Sequence, residues 1–183
     1  MNENPVSDPP DPSRPSSNLA VHANASPIQG DDLRYQQLWI ALEKRPWRSL
    51  ALLAGSKGVA TLDVADLLAK IAWWYSGEPT SVFDLRDLSV RLVDHQLREL
   101  KQQLAAGDRV FVSLRSTLEN PSSVRVAQAC DAVALLVAMG ETDVKSAEAT
   151  INAVGRERFL GSILLPNGGF VRRAAPTNPP RGA

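Results

Sequence analysis

The sequence predicts an α/β fold in which a doubly wound, mostly parallel sheet of five or slightly more strands carries helices on both faces. Short apolar runs without polar alternation recur along the chain, as is typical of strands that are buried on both faces. Longer segments with apolar residues at three- and four-residue spacing separate these runs. Alternation of the two patterns indicates helical crossovers between parallel strands.

Strands and helices alternate between residues 33 and 165. Pro46, Gly77 and Gly107 end the first three helices, because proline and glycine interrupt the helical pattern. We expect Asp87 to cap the third helix and Thr142 to cap the fifth. The predicted helices are 33–43, 61–75, a long one from Leu88 to the residue before Gly107, 124–130 and 142–154, and the predicted strands are 50–54, 81–85, 109–114, 132–139 and 159–165.

The chain divides into one domain and two tails. With 183 residues, of which 44% are hydrophobic, it has enough apolar surface for one ordinary core, which we place at residues 32–166. Residues 1–31 hold six of the thirteen prolines and are rich in Ser and Asn, so this segment is predicted to be disordered. Residues 167–183 contain three arginines and no acid, and are predicted to be a flexible basic tail.

Charge and cysteine content narrow the class of protein. Twenty basic and twenty acidic residues cancel, which argues against a nucleic-acid partner. A single cysteine, Cys130, and the lack of a secretory-type N-terminus or a membrane-spanning apolar run favour the cytoplasm, with a partner responsible for any recruitment to the inner membrane. His22 and His95 do not show metal-ligand spacing and Cys130 has no nearby base, so we assign no metal site and no nucleophile.

The loop after the first strand has the pattern of a phosphate-binding loop without its lysine. Residues 55–61 read Gly-Ser-Lys-Gly-Val-Ala-Thr and lead into a helix, a geometry that points backbone N–H groups at an anion. Val59 replaces the usual lysine in one register, and Ala60 replaces it if Thr61 is the hydroxyl that would bind Mg²⁺. Lys57 is then either a solvated loop residue or a substitute cation.

Two later strand ends complete the candidate site. Asp84 lies at the end of the second strand, where a carboxylate could orient a metal-bound water, and Ser113 stands where a nucleotide hydrolase would carry a metal-binding aspartate. We therefore predict a vestigial phosphate and magnesium site, with no catalytic residue and no cofactor, so that ATP with Mg²⁺ would bind only if the site kept residual competence. Its residues are Gly55, Ser56, Lys57, Gly58, Thr61 and Asp84.

The order of these pieces over residues 33–165 resembles a known family. The segments that carry the resemblance are the helix at 35–42, the loop at 55–61, the acidic strand ends at 82–88 and 108–113, and the late strand, turn and helix at 130–142 and 153–165. They are similar to the cytoplasmic domain of bacterial tyrosine kinases of capsule and exopolysaccharide synthesis, within the ParA/MinD-type P-loop ATPases. The resemblance implies a P-loop NTPase-like fold.

The chain departs from that family at its catalytic positions. The lysine and the third-motif aspartate are missing, and the only tyrosines are Tyr35 and Tyr75, so the family's tyrosine cluster is absent. Losing a cation and a metal ligand together removes most of the charge stabilisation that phosphoryl transfer needs. The resemblance therefore implies a degenerate, pseudokinase member.

We expect a non-catalytic, kinase-like adaptor or regulator of bacterial exopolysaccharide or capsule synthesis and export. The resemblance implies a membrane polysaccharide copolymerase or a related export component as its partner, and also a homo-oligomer. Trp73 and Trp74 are adjacent on one helix, so they cannot both point into the core, and one exposed at a contact would fit such an assembly. Two alternatives stay open: a weakly active ATPase or tyrosine kinase that uses Lys57 and Asp84, and a ParA/MinD-type positioning protein.

Overall fold

The computed structural model describes residues 33–165 and contains one five-stranded sheet in which every pairing between neighbouring strands is parallel. The strand order is β2-β3-β1-β4-β5. The strands are β1 Ser49–Ala54, β2 Thr80–Asp84, β3 Arg109–Leu114, β4 Ala132–Ala138 and β5 Phe159–Leu165, and the helices are α1 Leu33–Leu42, α2 Thr61–Ser76, α3 Val93–Ala105, α4 Ser122–Ala129 and α5 Val144–Val154. The predicted fold class is confirmed; the predicted tails lie outside the described residues.

Strand β1 is the centre of the sheet, and all six of its residues are buried. It pairs with β3 on one side and with β4 on the other. Leu50 and Leu52 pack with side chains of α1 and α2, whereas Ala51 and Leu53 pack with side chains of α3, α4 and α5. The absence of polar alternation in β1 follows from this double burial.

Aromatic side chains hold α1 against the sheet. The Trp47 indole N–H donates to the Leu42 carbonyl at 2.9 Å, so the residues just after α1 fold back onto its last turn. The ring of Trp47 contacts the rings of Trp39 and Phe111 edge to face, with centroids 6.3 and 5.3 Å away. Tyr75 of α2 stacks on Trp39 with a centroid distance of 6.5 Å. Edge-to-face and stacked contacts of this kind favour one defined geometry for α1.

The start of the third helix differs from the prediction. A single 3₁₀ turn at Val90–Leu92 precedes α3, so Leu88 is buried in the preceding loop and not on the helix. The side-chain amide of Asn120 donates to the carbonyls of Arg86 and Leu88 at 3.1 and 3.0 Å. These bonds hold the loop in a non-helical conformation. The predicted cap at Asp87 is therefore wrong, because the helix begins six residues later.

Both tryptophans near the end of α2 are exposed, at 63% for Trp73 and 66% for Trp74. The prediction that they cannot both enter the core is confirmed. Inside the described range, no helix combines the length and the apolarity that crossing a bilayer requires.

The crossovers divide between the two faces of the sheet. Side chains of α1 and α2 contribute to the core on one face, and side chains of α3, α4 and α5 to the core on the other. The connection after β1 therefore leaves toward one face, while the connections after its neighbours β3 and β4 leave toward the other. In open α/β sheets, the crevice at such a point is where ligands bind.

Asp131 links β1 and β4 at the ends where these two strands begin, opposite the crevice. Its carboxylate accepts hydrogen bonds from the N–H groups of Arg48 and Ser49 and from the Ser49 hydroxyl, each at 2.9 Å. Burial alone would raise the pKa of Asp131, but these hydrogen bonds and the charge of Arg48 together lower it.

We predict that Asp131→Ala lowers the free energy of unfolding by about 1–3 kcal/mol, because the buried N–H of Ser49 loses its acceptor. Asp131→Asn keeps an acceptor oxygen and should cost less. Urea unfolding of the three proteins measures both effects.

The lowered pKa of Asp131 also predicts how the free energy of unfolding changes with pH. Because its folded pKa is depressed, the charged carboxylate stabilises the fold fully above its unfolded pKa of about 3.9, and this contribution is lost as pH falls through the folded value. The gap between wild type and Asp131→Asn should therefore be constant near neutral pH and shrink in acid. A gap that grows in acid would contradict the assignment.

Candidate functional site

A hydrogen bond from Gly55 to β4 holds the start of the loop between β1 and α2. Gly55 donates its N–H to the Leu136 carbonyl of β4 at 2.8 Å, and a Cβ added at Gly55 would lie only 2.9 Å from that oxygen. Gly58 has φ +81, a left-handed conformation that favours glycine. Both glycines of the predicted phosphate loop thus have structural reasons to be glycine.

Ser56 links this loop to the turn after β4. Its hydroxyl lies 2.9 Å from the hydroxyl of Thr142, and Thr142 also accepts a hydrogen bond from the Ala138 N–H at 3.0 Å. The predicted capping role of Thr142 is therefore wrong. Asp143 caps α5 instead, accepting from the Ser146 N–H at 2.8 Å, and this interaction lowers the pKa of Asp143.

Thr61 and Ser113 form a closed pair of neutral hydroxyls. Thr61 is the first residue of α2, Ser113 lies near the end of β3, and their oxygens are 2.8 Å apart. Both residues are fully buried. Ala60, the exposed residue just before Thr61, carries no charge either. Each hydroxyl already has a partner, and neither carries the charge that would draw in a divalent cation.

Asp84 is held by a guanidinium from its own loop. Arg86 binds it through two bonds, Nε to Oδ1 at 2.7 Å and Nη2 to Oδ2 at 2.8 Å. The hydrogen bond from Arg86 is the main cause that lowers the pKa of Asp84, and the same bond raises the pKa of Arg86. Asp84 pairs with Ser113 in the register of β2 and β3, so the ion pair of Asp84 and Arg86 lies at the same end of the sheet as the hydroxyl pair.

The crevice above the carboxyl ends of the strands is a cleft of about 920 Å³. Its lining carries more negative than positive groups: Lys57, Arg86 and Arg115 against Asp87, Glu119, Glu141 and Asp143. Arg115 is already paired with Asp87 at 2.8 Å. The negative charge of a nucleoside triphosphate in this cleft would therefore be repelled by more groups than would attract it.

The structure brings only part of the predicted site together. Ser56 and Lys57 line the cleft with Arg86, the partner of Asp84, whereas Thr61 is buried against Ser113. The sequence interpretation missed Arg86. Its position two residues after a strand-end aspartate was the available signal, because a turn of that length lets the guanidinium fold back onto the carboxylate.

His95 and Cys130 lie in different parts of the fold. His95 is an exposed residue of α3 that lies 3.4 Å from Glu99. Cys130 is buried, and burial raises the pKa of its thiol to about 12, so the thiol stays protonated and unreactive at neutral pH.

The fold is shared with a known kinase structure, although the sequence alone identifies no relative. No protein-family model matches the chain, and no curated protein matches it. Among solved structures, the kinase domain of the Escherichia coli tyrosine kinase ETK is similar, with a TM-score of 0.60 over 78% of this chain and 75% of that one. At 13% identity, this likeness shows a common α/β fold and nothing finer.

The hydroxyl pair can be tested with a double-mutant cycle. We expect Thr61→Val and Ser113→Ala each to lower the free energy of unfolding by about 1–3 kcal/mol, because each leaves one buried hydroxyl without its partner. The double variant should cost clearly less than the two single costs added together. Additive costs, measured by urea unfolding, would show that the two hydroxyls do not depend on each other.

The ion pair of Arg86 with Asp84 predicts that removing Arg86 changes the pKa of Asp84. In Arg86→Ala the carboxylate loses the hydrogen bonds and the positive charge that lower its pKa, so its pKa should rise toward the ordinary value of about 3.9. Carboxyl ¹³C chemical shifts followed against pH measure this. Arg98→Ala, an exposed substitution on α3, is the control and should leave the titration of Asp84 unchanged.

Proposed function

We propose that this protein is a non-catalytic, kinase-like adaptor or regulator in bacterial exopolysaccharide or capsule synthesis and export. The observation that carries the proposal is the closed hydroxyl pair of Thr61 and Ser113, because neither hydroxyl carries the charge that would hold a metal ion for phosphoryl transfer. The fold shared with a tyrosine kinase domain supports the kinase-like part of the proposal, and the family resemblance of the sequence supports the polysaccharide part.

The excess of carboxylates in the cleft favours a non-catalytic protein over a weakly active enzyme. Phosphoryl transfer is catalysed mainly by positioning and by stabilisation of negative charge on the phosphoryl oxygens. Here Ala60 supplies no cation at the start of α2, and Asp84 is engaged with Arg86 on both oxygens. Lys57 lines the cleft but shares it with four carboxylates.

The proposed partner is a membrane polysaccharide copolymerase or a related export component, and the proposed location is the cytoplasm, with recruitment to the inner membrane through that partner. The exposed Trp73 and Trp74 on α2 support an assembly through a protein surface, including a homo-oligomer, because tryptophan is enriched at interface centres.

Calorimetric titration with ATP and ADP in the presence of Mg²⁺ tests the loss of the nucleotide site. We expect no measurable binding of either nucleotide at millimolar concentration. Ala60→Lys restores the missing cation at an exposed position and should increase any affinity for ATP at least tenfold. This gain would show that the assay detects a competent loop.

Micromolar binding of ATP by the wild type, lost in Lys57→Ala, would instead support the weakly active enzyme. The adaptor role itself predicts that affinity purification of the full chain from its native host recovers a polysaccharide-system component. Repeated recovery of none would contradict the adaptor role, whatever the nucleotide result.

A further inference from the structure

The cleft at the carboxyl ends of the strands has a surplus of negative charge that its own cations do not balance. Its lining carries four carboxylates and three cations. One of the cations, Arg86, is bound through both nitrogens by Asp84, which is not part of the lining. The four carboxylates are therefore left with two cations, Lys57 and Arg115.

Glu141 and Asp143 are the carboxylates that lack a cation of their own. Among the residues that the structure describes, neither takes part in an ion pair, whereas Arg115 pairs with Asp87 at 2.8 Å and lies 3.8 Å from Glu119. As the cap of α5, Asp143 is engaged by a neutral N–H group, so its charge is not cancelled. Both side chains are exposed.

The chain leaves the sheet beside these two carboxylates. Strand β5 ends at Leu165, which pairs with Ala138 of β4 and accepts a hydrogen bond from the Met139 N–H at 2.9 Å. The turn at 139–143 starts at that bond and carries both carboxylates. Residues 166–183 are therefore attached to the fold at the rim of the cleft.

The segment attached there complements the cleft in charge. Residues 166–183 hold Arg172, Arg173 and Arg181 and no acid. Two of these arginines are adjacent and directly follow the apolar pair Phe170 and Val171. The segment thus offers two neighbouring cations to a lining in which two carboxylates lack a cation.

The segment is also long enough to cross the cleft. Residues 116–120 form the wall opposite the point of attachment, because they follow β3, which lies two strands away from β4. An extended chain from Leu165 to Arg172 spans up to about 25 Å, whereas a cube with the volume of the cleft has an edge of about 10 Å. Leu118 on the opposite wall is 64% exposed, which gives the apolar pair of the segment a surface to cover.

We infer that the chain's own C-terminal segment occupies this cleft, with its two adjacent arginines paired to Glu141 and Asp143. Guanidinium groups bind carboxylates through paired hydrogen bonds. Attachment at Leu165 gives the segment a high effective concentration at the cleft, which a separate basic peptide does not have. The inference goes beyond the proposed function, because it concerns what fills the cleft and holds for an adaptor or for any other role.

The described residues favour this occupant over a small ion. The surplus of carboxylates repels phosphate and other anions. Across residues 33–165, no three side chains of the metal-ligating types come together in a group that could hold a metal ion. A cationic segment needs only the two separate charges that the turn provides.

Paramagnetic broadening from a nitroxide on the segment of the full chain tests the inference. Ala175→Cys provides the thiol for labelling, because the one native cysteine, Cys130, is buried and stays protonated. We expect the amides of residues 116–120 to lose intensity relative to the sample in which ascorbate has reduced the nitroxide. The amide of Arg48, at the opposite end of the strands, should keep its intensity.

Two pairs of variants separate the proposed contact from a general effect of charge. Glu141→Gln with Asp143→Asn should lower the ratio of docked to free segment at least about tenfold, and asparagine still caps α5. Asp94→Asn with Glu99→Gln is the matched control, because it removes the same charge from side chains of α3 outside the cleft. It should leave the broadening unchanged.

A third pair, Arg172→Gln with Arg173→Gln, removes the cations from the segment and leaves every residue of the described fold unchanged. It should release the segment to the same extent as the change in the two carboxylates. Broadening that persists in this variant would contradict the pairing, even if the carboxylate variant lost stability.

Four other results would overturn the inference. The first is an absence of broadening at residues 116–120 in the chain with native charges, and the second is equal loss of broadening in the carboxylate pair and its control. The third is full broadening in a mixture of spin-labelled chains without ¹⁵N and ¹⁵N-labelled chains without nitroxide, which would place the segment in the cleft of a second copy. The fourth is displacement by millimolar Mg²⁺ but not by NaCl of equal ionic strength, which would indicate a metal site.

Discussion

Burial of β1 on both faces and both edges is the constraint on which the rest of the structure depends. Its six residues are buried and pair with β3 and β4, so the strand has no freedom to slip without moving both neighbours. Leu50, Leu52 and Leu53 are fully buried, and each contributes about 1.5–3 kcal/mol of hydrophobic free energy. The strand therefore fixes the positions of the two loops at its ends.

These two ends have opposite chemical character. At the carboxyl end, neutral hydroxyls satisfy one another, as in the pair of Thr61 and Ser113, and carboxylates outnumber cations around the cleft. At the amino end, Arg45 and Arg48 project positive charge from a backbone that the sheet holds still. The family resemblance directs attention to the first end, although the cleft there carries more carboxylates than cations.

The sequence was sufficient for the fold because its signals are hydrophobic periods, which depend on burial alone. The bounds of β3 and β5 and the start of α2 came out as predicted. The predicted helix caps at Asp87 and Thr142 were wrong, because each of these side chains could bond either to a nearby helix or to a distant residue. Asp87 pairs with Arg115 and Thr142 with Ser56, partners far away in the chain that local capping preferences cannot anticipate.

The sequence shows which residue types stand at the candidate site, such as Ala60, Thr61 and Ser113, but not all of the contacts that they make. The contact of Thr61 with Ser113 depends on where the ends of strands meet in space, whereas the contact of Arg86 with Asp84 is local and could have been predicted from their spacing.

The central claim is that the carboxyl end of the sheet no longer holds a metal-bound nucleotide. Paramagnetic broadening by Mn²⁺ with ATP, recorded on the backbone amides of Thr61, Asp84 and Ser113, tests this most directly, because broadening reports the distance of each amide from a bound ion. The account predicts that these amides keep their line widths at concentrations that saturate a working nucleotide site. Selective broadening of these three, reversed by chelation of the metal, would contradict it.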